Sequence, residues 1–247
     1  MSSHVCIVMI GIIITERRAI NMFQVEFWGP MACFCPPYAK VDRLSYPVPT
    51  PSAVRGALAS VYSKPAEFWW AVEKIEVMNP IAYISFRRNE VGRRLDPKRL
   101  GCIDASDPKV RSQRMMVCLK DVRYRVTARI VGVVGGHKPL SALYAQAERR
   151  FSTGQCFQQP YLGLRECVCD FAIADGAGDP IPDCFDFGFM TYDTHVPYDN
   201  RKDAPFVKSL YHAVMDRGVI LVPDYDSVDV IKDTGPKGGV YDAAGVV

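Results

Sequence analysis

Hydrophobic and polar residues alternate through "FQVEFWG" (residues 23–29), the two-residue period of a half-buried strand. The Gly29-Pro30 step predicts its end, and "MACFC" predicts a second short extended run. Thr50-Pro51-Ser52 opens a helix with proline in its first turn, and "AVRGALASVY" carries it on. Pro65 disfavours helical geometry just before it, so this helix should end near Ser63. "FWWAVEKIEVM" (68–78) and "IAYISFRR" (81–88) read as two strands parted by Asn79-Pro80. The strongest β pattern is "VRYRVTARIVGVV" (122–134), where Val, Tyr and Ile alternate with Arg and Thr. Residues 139–151 read as a helix stopped by Gly154, and "QCFQQPYLGLRE" as an extended loop. Beyond it, "CVCDFAIA", "FDFGFMTYD" and "GVILVP" predict short strands, and "FVKSLYHAVM" a short helix.

Strand, helix, strand, strand, helix, strand is the order of the split βαβ unit used by many RNA-binding sheets. The predicted class is therefore α+β: a ferredoxin-like (RRM-like) N-terminal domain over 22–166 with a basic hairpin insert at 89–114, plus a small antiparallel β-sheet C-terminal domain and tail over 167–247. The acidic loops of that second part (Asp175, Asp179, Asp183, Asp186) contrast with the basic first part. At 247 residues the chain is long enough for one large domain or two small ones. The apolar run "VCIVMIGIIIT" (5–15) is eleven residues, short of the roughly 20 that a membrane helix needs. It has neither a basic segment before it nor a small-residue cleavage site after it. Residues 1–21 read as an appendage, disordered or a mis-assigned start, ahead of a folded protein that begins at Met22.

The formal net charge of +3 is small, but its distribution is uneven. Residues 87–125 hold twelve Lys/Arg against five Asp/Glu, a local +7, which leaves −4 for the remainder. One segment thus carries the basic footprint expected of a nucleic-acid binder. Nine cysteines, spaced as Cys33-x-Cys35, Cys167-x-Cys169 and singles, match no paired C-x2-C zinc pattern, so no metal site is assigned. Reduced thiols in that number point to the cytoplasm.

The densest basic stretches, "FRRNEVGRR" and "KVRSQR", present guanidinium forks that match phosphate oxygens; a solvated loop with surplus charge accounts for them equally well. Tyr83, Phe86 and Tyr124 could stack bases, although aromatics at strand spacing are more often core. Tyr46, in the loop "RLSYPVPTPS", gains interest only if it meets His137 and Lys138 in space. Such a trio would suit metal-free cutting of RNA, where one group takes the 2′-OH proton, another protonates the 5′-oxygen and a cation stabilises the charged phosphorane. An adjacent His and Lys at a helix start also sit where helix N–H groups attract phosphate, but a chance pair is the plainer reading of "HK" alone. Gly163 in "PYLGLRE" permits close backbone approach to a ligand, and Arg165 could reach a phosphate. No Walker loop, dinucleotide-binding glycine turn, Ser-His-Asp order or HExxH is present.

Together, "YAKVDRLSYPVPTPSAVRGALASVYSKPA", "VMNPIAYISFRRNEV", "RSQRMMVCLKDVRYRVTA" and "GQCFQQPYLGLRE" resemble the CRISPR-associated Cas-five family in its subtype I-C ("d") form, of the repeat-associated mysterious protein superfamily. The resemblance runs over residues 23–215. It implies a metal-independent endoribonuclease, without cofactor, that cleaves precursor CRISPR RNA at the base of the repeat hairpin. The protein would then remain on the 5′ handle as a subunit of Cascade, beside the large subunit and the backbone subunits, with no membrane partner. The family's loop tyrosine falls on Tyr46. Its Lys-His pair falls on Ala142 and Leu143 by a gapless count back from Gly154, and neither can transfer a proton. His137 and Lys138 restore that chemistry with a shift of about five residues and reversed order. The matching blocks carry Arg43, Lys64, Arg87, Arg88, Arg111, Arg114 and Arg165 over as RNA contacts. The alternative is a non-catalytic subunit that binds the 5′ handle; a general RNA-binding protein outside CRISPR is a third reading.

Overall fold

The computed structural model describes residues 22–39, 41–92, 103–104, 106–199 and 206–233. The appendage at 1–21, the tip of the basic insert at 93–102 and the tail after 233 lie outside the described residues. Among the described residues, ten strands and two helices follow one another as β1 (Phe23–Ala32), β2 (Arg43–Leu44), α1 (Pro51–Val61), β3 (Phe68–Val77), β4 (Tyr83–Val91), β5 (Arg111–Gly132), α2 (Leu140–Thr153), β6 (Asp170–Ile173), β7 (Phe185–His195), β8 (Phe206–Asp216), β9 (Val219–Leu221) and β10 (Val230–Asp233). This is an α+β fold built on a mostly antiparallel sheet. The strand order β10-β8-β9-β3-β5-β1-β6 forms its path, with β2 and β4 added to β5 and β7 to β8.

The helices form where the sequence pattern placed them. Thr50 accepts the Ala53 N–H at 3.3 Å as an N-cap, Pro51 fills the first turn, and α1 buries Val54, Ala57, Leu58 and Val61. Leu143, Ala147 and Phe151 recur every fourth residue as the buried stripe of α2, and Gly154 closes it in the left-handed conformation (φ 68°). α1 packs on β3 and β7, and α2 on β5 and β6. Phe23 joins these layers, with ring centroids 5.9 Å from Trp70 and 5.2 Å from Phe151.

The opposite face of the sheet is held by cross-strand ion pairs. Glu26 faces Arg125 across β1 and β5 and pairs with it at 3.0 Å, while Glu76, in register with Arg125 across β3 and β5, pairs with Lys74 on its own strand at 3.1 Å. Glu26 also accepts Arg123, and Arg125 reaches the carbonyls of Ala177 and Gly178. Tyr124 is buried, its ring edge-on to Phe34 at 6.1 Å, so it offers no base-stacking surface, whereas Tyr83 is half exposed.

Three expectations are corrected. Gly29-Pro30 does not end β1, which runs to Ala32: β6 pairs only as far as Trp28, leaving the missing Pro30 N–H without a ladder to break, and Asp121 opposite it bends to φ 49°. The strand expected over 122–134 is the second half of a strand of 22 residues whose first half pairs with β4. The segment "FVKSLYHAVM" is no helix but β8, burying Val207, Ser209, Tyr211, Ala213 and Met215 in strict alternation. Ser209, polar yet fully buried, hides that period from a hydropathy reading. The expected insert is a hairpin over its described arms, where residues 89–91 of β4 pair with 111–113 of β5. The expected boundary at 166/167 lies next to paired segments: Tyr161 bridges Val168, and β6 then adds to the edge of β1.

Candidate nucleic-acid interface

The turn from 133 to 138 is tied to the segment that follows α1. Val133 N–H donates to the Glu67 carbonyl at 3.0 Å, and the Glu67 carboxylate accepts the N–H groups of His137 at 2.8 Å and Lys138 at 2.9 Å. Gly136 passes so close that a Cβ there would lie 3.0 Å from the Glu67 carbonyl oxygen. Those N–H groups, Lys138 first, hold the Glu67 carboxyl below its ordinary value. The tether brings Lys138 beside Lys64, whose pKa is lowered by the neighbouring ammonium. Arg150 completes the group from α2: it donates to the Val61 carbonyl at 3.0 Å, lies over the Tyr62 ring at 5.6 Å and adds its charge to the field on Lys64. Two cations, Lys64 and Lys138, therefore stand with His137 beside one carboxylate just ahead of the α2 N-terminus, and Arg150, in the last turn of α2, adds its charge at longer range. This is an arrangement that favours an anion.

Lys64, expected as an RNA contact, thus stands with the expected catalytic pair His137 and Lys138. Tyr46 does not. Its N–H donates to the Phe34 carbonyl at 2.9 Å, and its hydroxyl meets Thr191 Oγ1 at 3.2 Å. Tyr46 precedes α1 and Lys64 follows it, and the 11 residues of that helix span about 16 Å. The trio expected to act together is separated by the length of α1.

The remaining expected contacts divide into two kinds. Arg43 and Arg88 both hold the same oxygen of Glu166 at 2.8 Å, and Arg43 also reaches Glu90 at 3.4 Å. Arg114 lies directly opposite Arg88 across β4 and β5, a like-charge pair that Glu166 helps to tolerate. The Glu166 carboxyl is pulled down to about 2 by its own backbone N–H and by the two arginines. Arg87, Arg111 and Arg165 are exposed to solvent. Glu67 and Arg150 were missed because neither sits in a motif; their proximity depends on where α1 and β5 end.

The family model Cas5d, described as CRISPR-associated protein (Cas_Cas5), matches residues 22–183. A Mannheimia succiniciproducens protein named CRISPR pre-crRNA endoribonuclease Cas5d is 34% identical over 229 residues, which is 85% of this chain and 98% of that protein. A Thermus thermophilus protein of the same name is 42% identical over 173 residues, 69% of this chain and 72% of that one. The fold is shared with the crystal structure of a CRISPR-associated protein at a TM-score of 0.61 and 21% identity, covering 85% of this chain and 96% of that one. With β1 to β6, α1, α2 and the Glu67-tethered turn all inside the matched residues, the chain belongs to the Cas5d family of CRISPR-associated proteins.

Proposed function

We propose that this chain is an endoribonuclease that cuts precursor CRISPR RNA at the base of the repeat hairpin without a metal ion. It then stays on the 5′ handle as a subunit of a type I-C Cascade complex in the cytoplasm. A relative aligned over 98% of its length bears the name of that activity. The observation that carries the proposal is the meeting of Lys64 and Lys138 beside His137 at the turn held by Glu67, with the charge of Arg150 within reach.

A phosphodiester seated between Lys64 and Lys138 would have its charge offset by both ammonium groups and by the first N–H groups of α2. The same cations stabilise the additional charge that develops when the 2′-oxygen attacks phosphorus. His137, held beside Lys138 through its backbone, exchanges a proton with the attacking or the leaving oxygen. Tyr46 engages the RNA away from the cut phosphate, and Arg87, Arg111 and Arg165 follow the backbone. Arg43, Arg88 and Arg114 offer phosphate a site in competition with Glu166.

The order β6-β1-β5-β3, antiparallel throughout, with α1 after the first strand and α2 between β5 and β6, supports a ferredoxin-like reading of this part. In that reading β7, β8 and β10 would be the small C-terminal sheet, supported by the pairing of β8 with both β7 and β10.

Labelled subtype I-C repeat RNA incubated with the protein in EDTA at single turnover tests the activity. One cut 3′ to the hairpin, abolished in the paired variant His137→Ala with Lys138→Ala, is the expected result; cleavage by that variant at the wild-type rate overturns the site. The separation of Tyr46 from the pair favours one second reading, a handle-binding subunit without catalysis. Retardation of the RNA in a native gel with no product under any condition would establish it.

A further inference from the structure

Four cysteines from three parts of the chain meet beside β2. Cys33 and Cys35 follow β1, Cys118 lies on β5 and Cys167 follows the loop that carries Gly163. Cys33, Cys118 and Cys167 are buried among Met31, Met116 and Leu164, while Cys35 is partly exposed at their edge. The Cys33 and Cys35 sulfurs are 3.5 Å apart. A cavity of about 360 Å3 opens onto both, lined also by Thr50, Ser52 and Gly163. Among the described residues no group of His, Cys, Asp or Glu is arranged to hold a metal ion.

We propose that Cys33 and Cys35 form a peroxide-sensitive dithiol, in which Cys35 is the nucleophile reached through this cavity and Cys33 is the resolving thiol. The Cys35 thiol is brought down to about 7 by the hydrogen bond from Cys33 and by the charge of Arg43, so a large share of it is thiolate near neutral pH. The hydrogen bond to Cys35, burial and the neighbouring Cys118 push Cys33 up, which keeps it protonated and makes it the donor in the pair. The thiolate attacks one oxygen of hydrogen peroxide, breaking the O–O bond and giving Cys35 sulfenic acid and hydroxide. Cys33 sulfur then displaces the sulfenic hydroxyl: an S–S bond forms, the S–O bond breaks, and the Cys33 proton leaves with the hydroxyl as water. Two thiols are oxidised and one peroxide is reduced.

The residue between the sulfurs gives this step a structural reach. Phe34 N–H donates to Ser45 Oγ at 3.0 Å, and its carbonyl accepts the Tyr46 N–H at 2.9 Å. Closing the sulfurs from 3.5 Å to the roughly 2.05 Å of a disulfide turns the Phe34 peptide groups and loosens the segment they hold.

Full-length protein is treated with hydrogen peroxide, quenched with N-ethylmaleimide under denaturing conditions, digested and mapped by mass spectrometry, with exposed Cys184 as the internal comparator. The peptide containing 33–35 should lose two hydrogens and both labels at least about tenfold faster than Cys184 loses its own. Cys35→Ser should abolish the disulfide; Cys33→Ser should leave a sulfenic acid on Cys35 that dimedone traps. Hydrogen exchange at the Tyr46 amide should accelerate on oxidation. Oxidation of Cys35 no faster than of Cys184, or a disulfide that persists in Cys35→Ser, overturns the dithiol. An unchanged Tyr46 amide overturns its reach to the loop. Neither readout depends on RNA cleavage.

Discussion

One carboxylate oxygen of Glu67 accepts the backbone N–H groups of both His137 and Lys138, at 2.8 and 2.9 Å, and so sets two side chains on a turn some 70 residues away from it in sequence. The residues that it positions are those proposed to meet the scissile phosphate. It does so without occupying either side chain.

Glu67→Ala removes the oxygen that accepts both N–H groups, while Glu67→Gln keeps one neutral oxygen. Single-turnover cleavage should therefore fall most in Glu67→Ala, about tenfold or more, and less in Glu67→Gln, with RNA affinity nearly unchanged because neither cation is lost. Equal rates in both variants and the wild type would show that the turn keeps its place without the tether.

Lys64 and Lys138 should act as phosphate contacts rather than as readers of sequence. Each change to Ala should weaken repeat binding at low salt and lower the slope of log affinity against log salt by about 1, and the pair together by about 2. Titrations at several salt concentrations measure this directly.

The Glu166 carboxyl, held near 2 between Arg88 and Arg43, sets a pH signature. Its folded value lies below the unfolded one, so its contribution to stability is full above about 4.5 and is lost as pH falls toward 2. Acid unfolding of Glu166→Gln followed by circular dichroism should be flatter than wild type within that window and parallel to it above. The side chain is nearly half exposed, so the difference should be modest.

Gly163→Ala should be severely destabilising. The residue has φ 87°, and a Cβ would lie 1.9 Å from the Cys33 carbonyl oxygen, a contact that only backbone movement relieves. A loss of at least about 3 kcal/mol in urea unfolding is expected.

Periodicity and punctuation made much of this fold legible. Thr50-Pro51 and Gly154 each act locally and were read correctly, and the alternation over 122–134 was read as a strand but with its first half missing. β8 was not, because Ser209 breaks the hydropathy pattern at a position that tertiary packing nevertheless buries. The site was half legible for a related reason. His137 and Lys138 are neighbours in sequence, but Lys64 reaches them only because α1 and β5 finish at the same end of the molecule, and Tyr46 is kept from them by the length of α1. Helix boundaries are local; the meeting of their ends is not.

The 22 residues of β5 also govern when the protein can fold. β1 pairs with β5 from Phe23↔Ala128 to Ala32↔Leu119, and β3 and β4 take the same strand as their partner, so three strands made early in synthesis wait for one made later. At roughly 5–20 residues per second, that leaves apolar strand edges unpaired on the ribosome for several seconds. Such long-range closure is slow and exposes the nascent chain to association with its neighbours. Production of this protein should therefore respond more to the rate of translation and to chaperone supply than its finished stability would suggest.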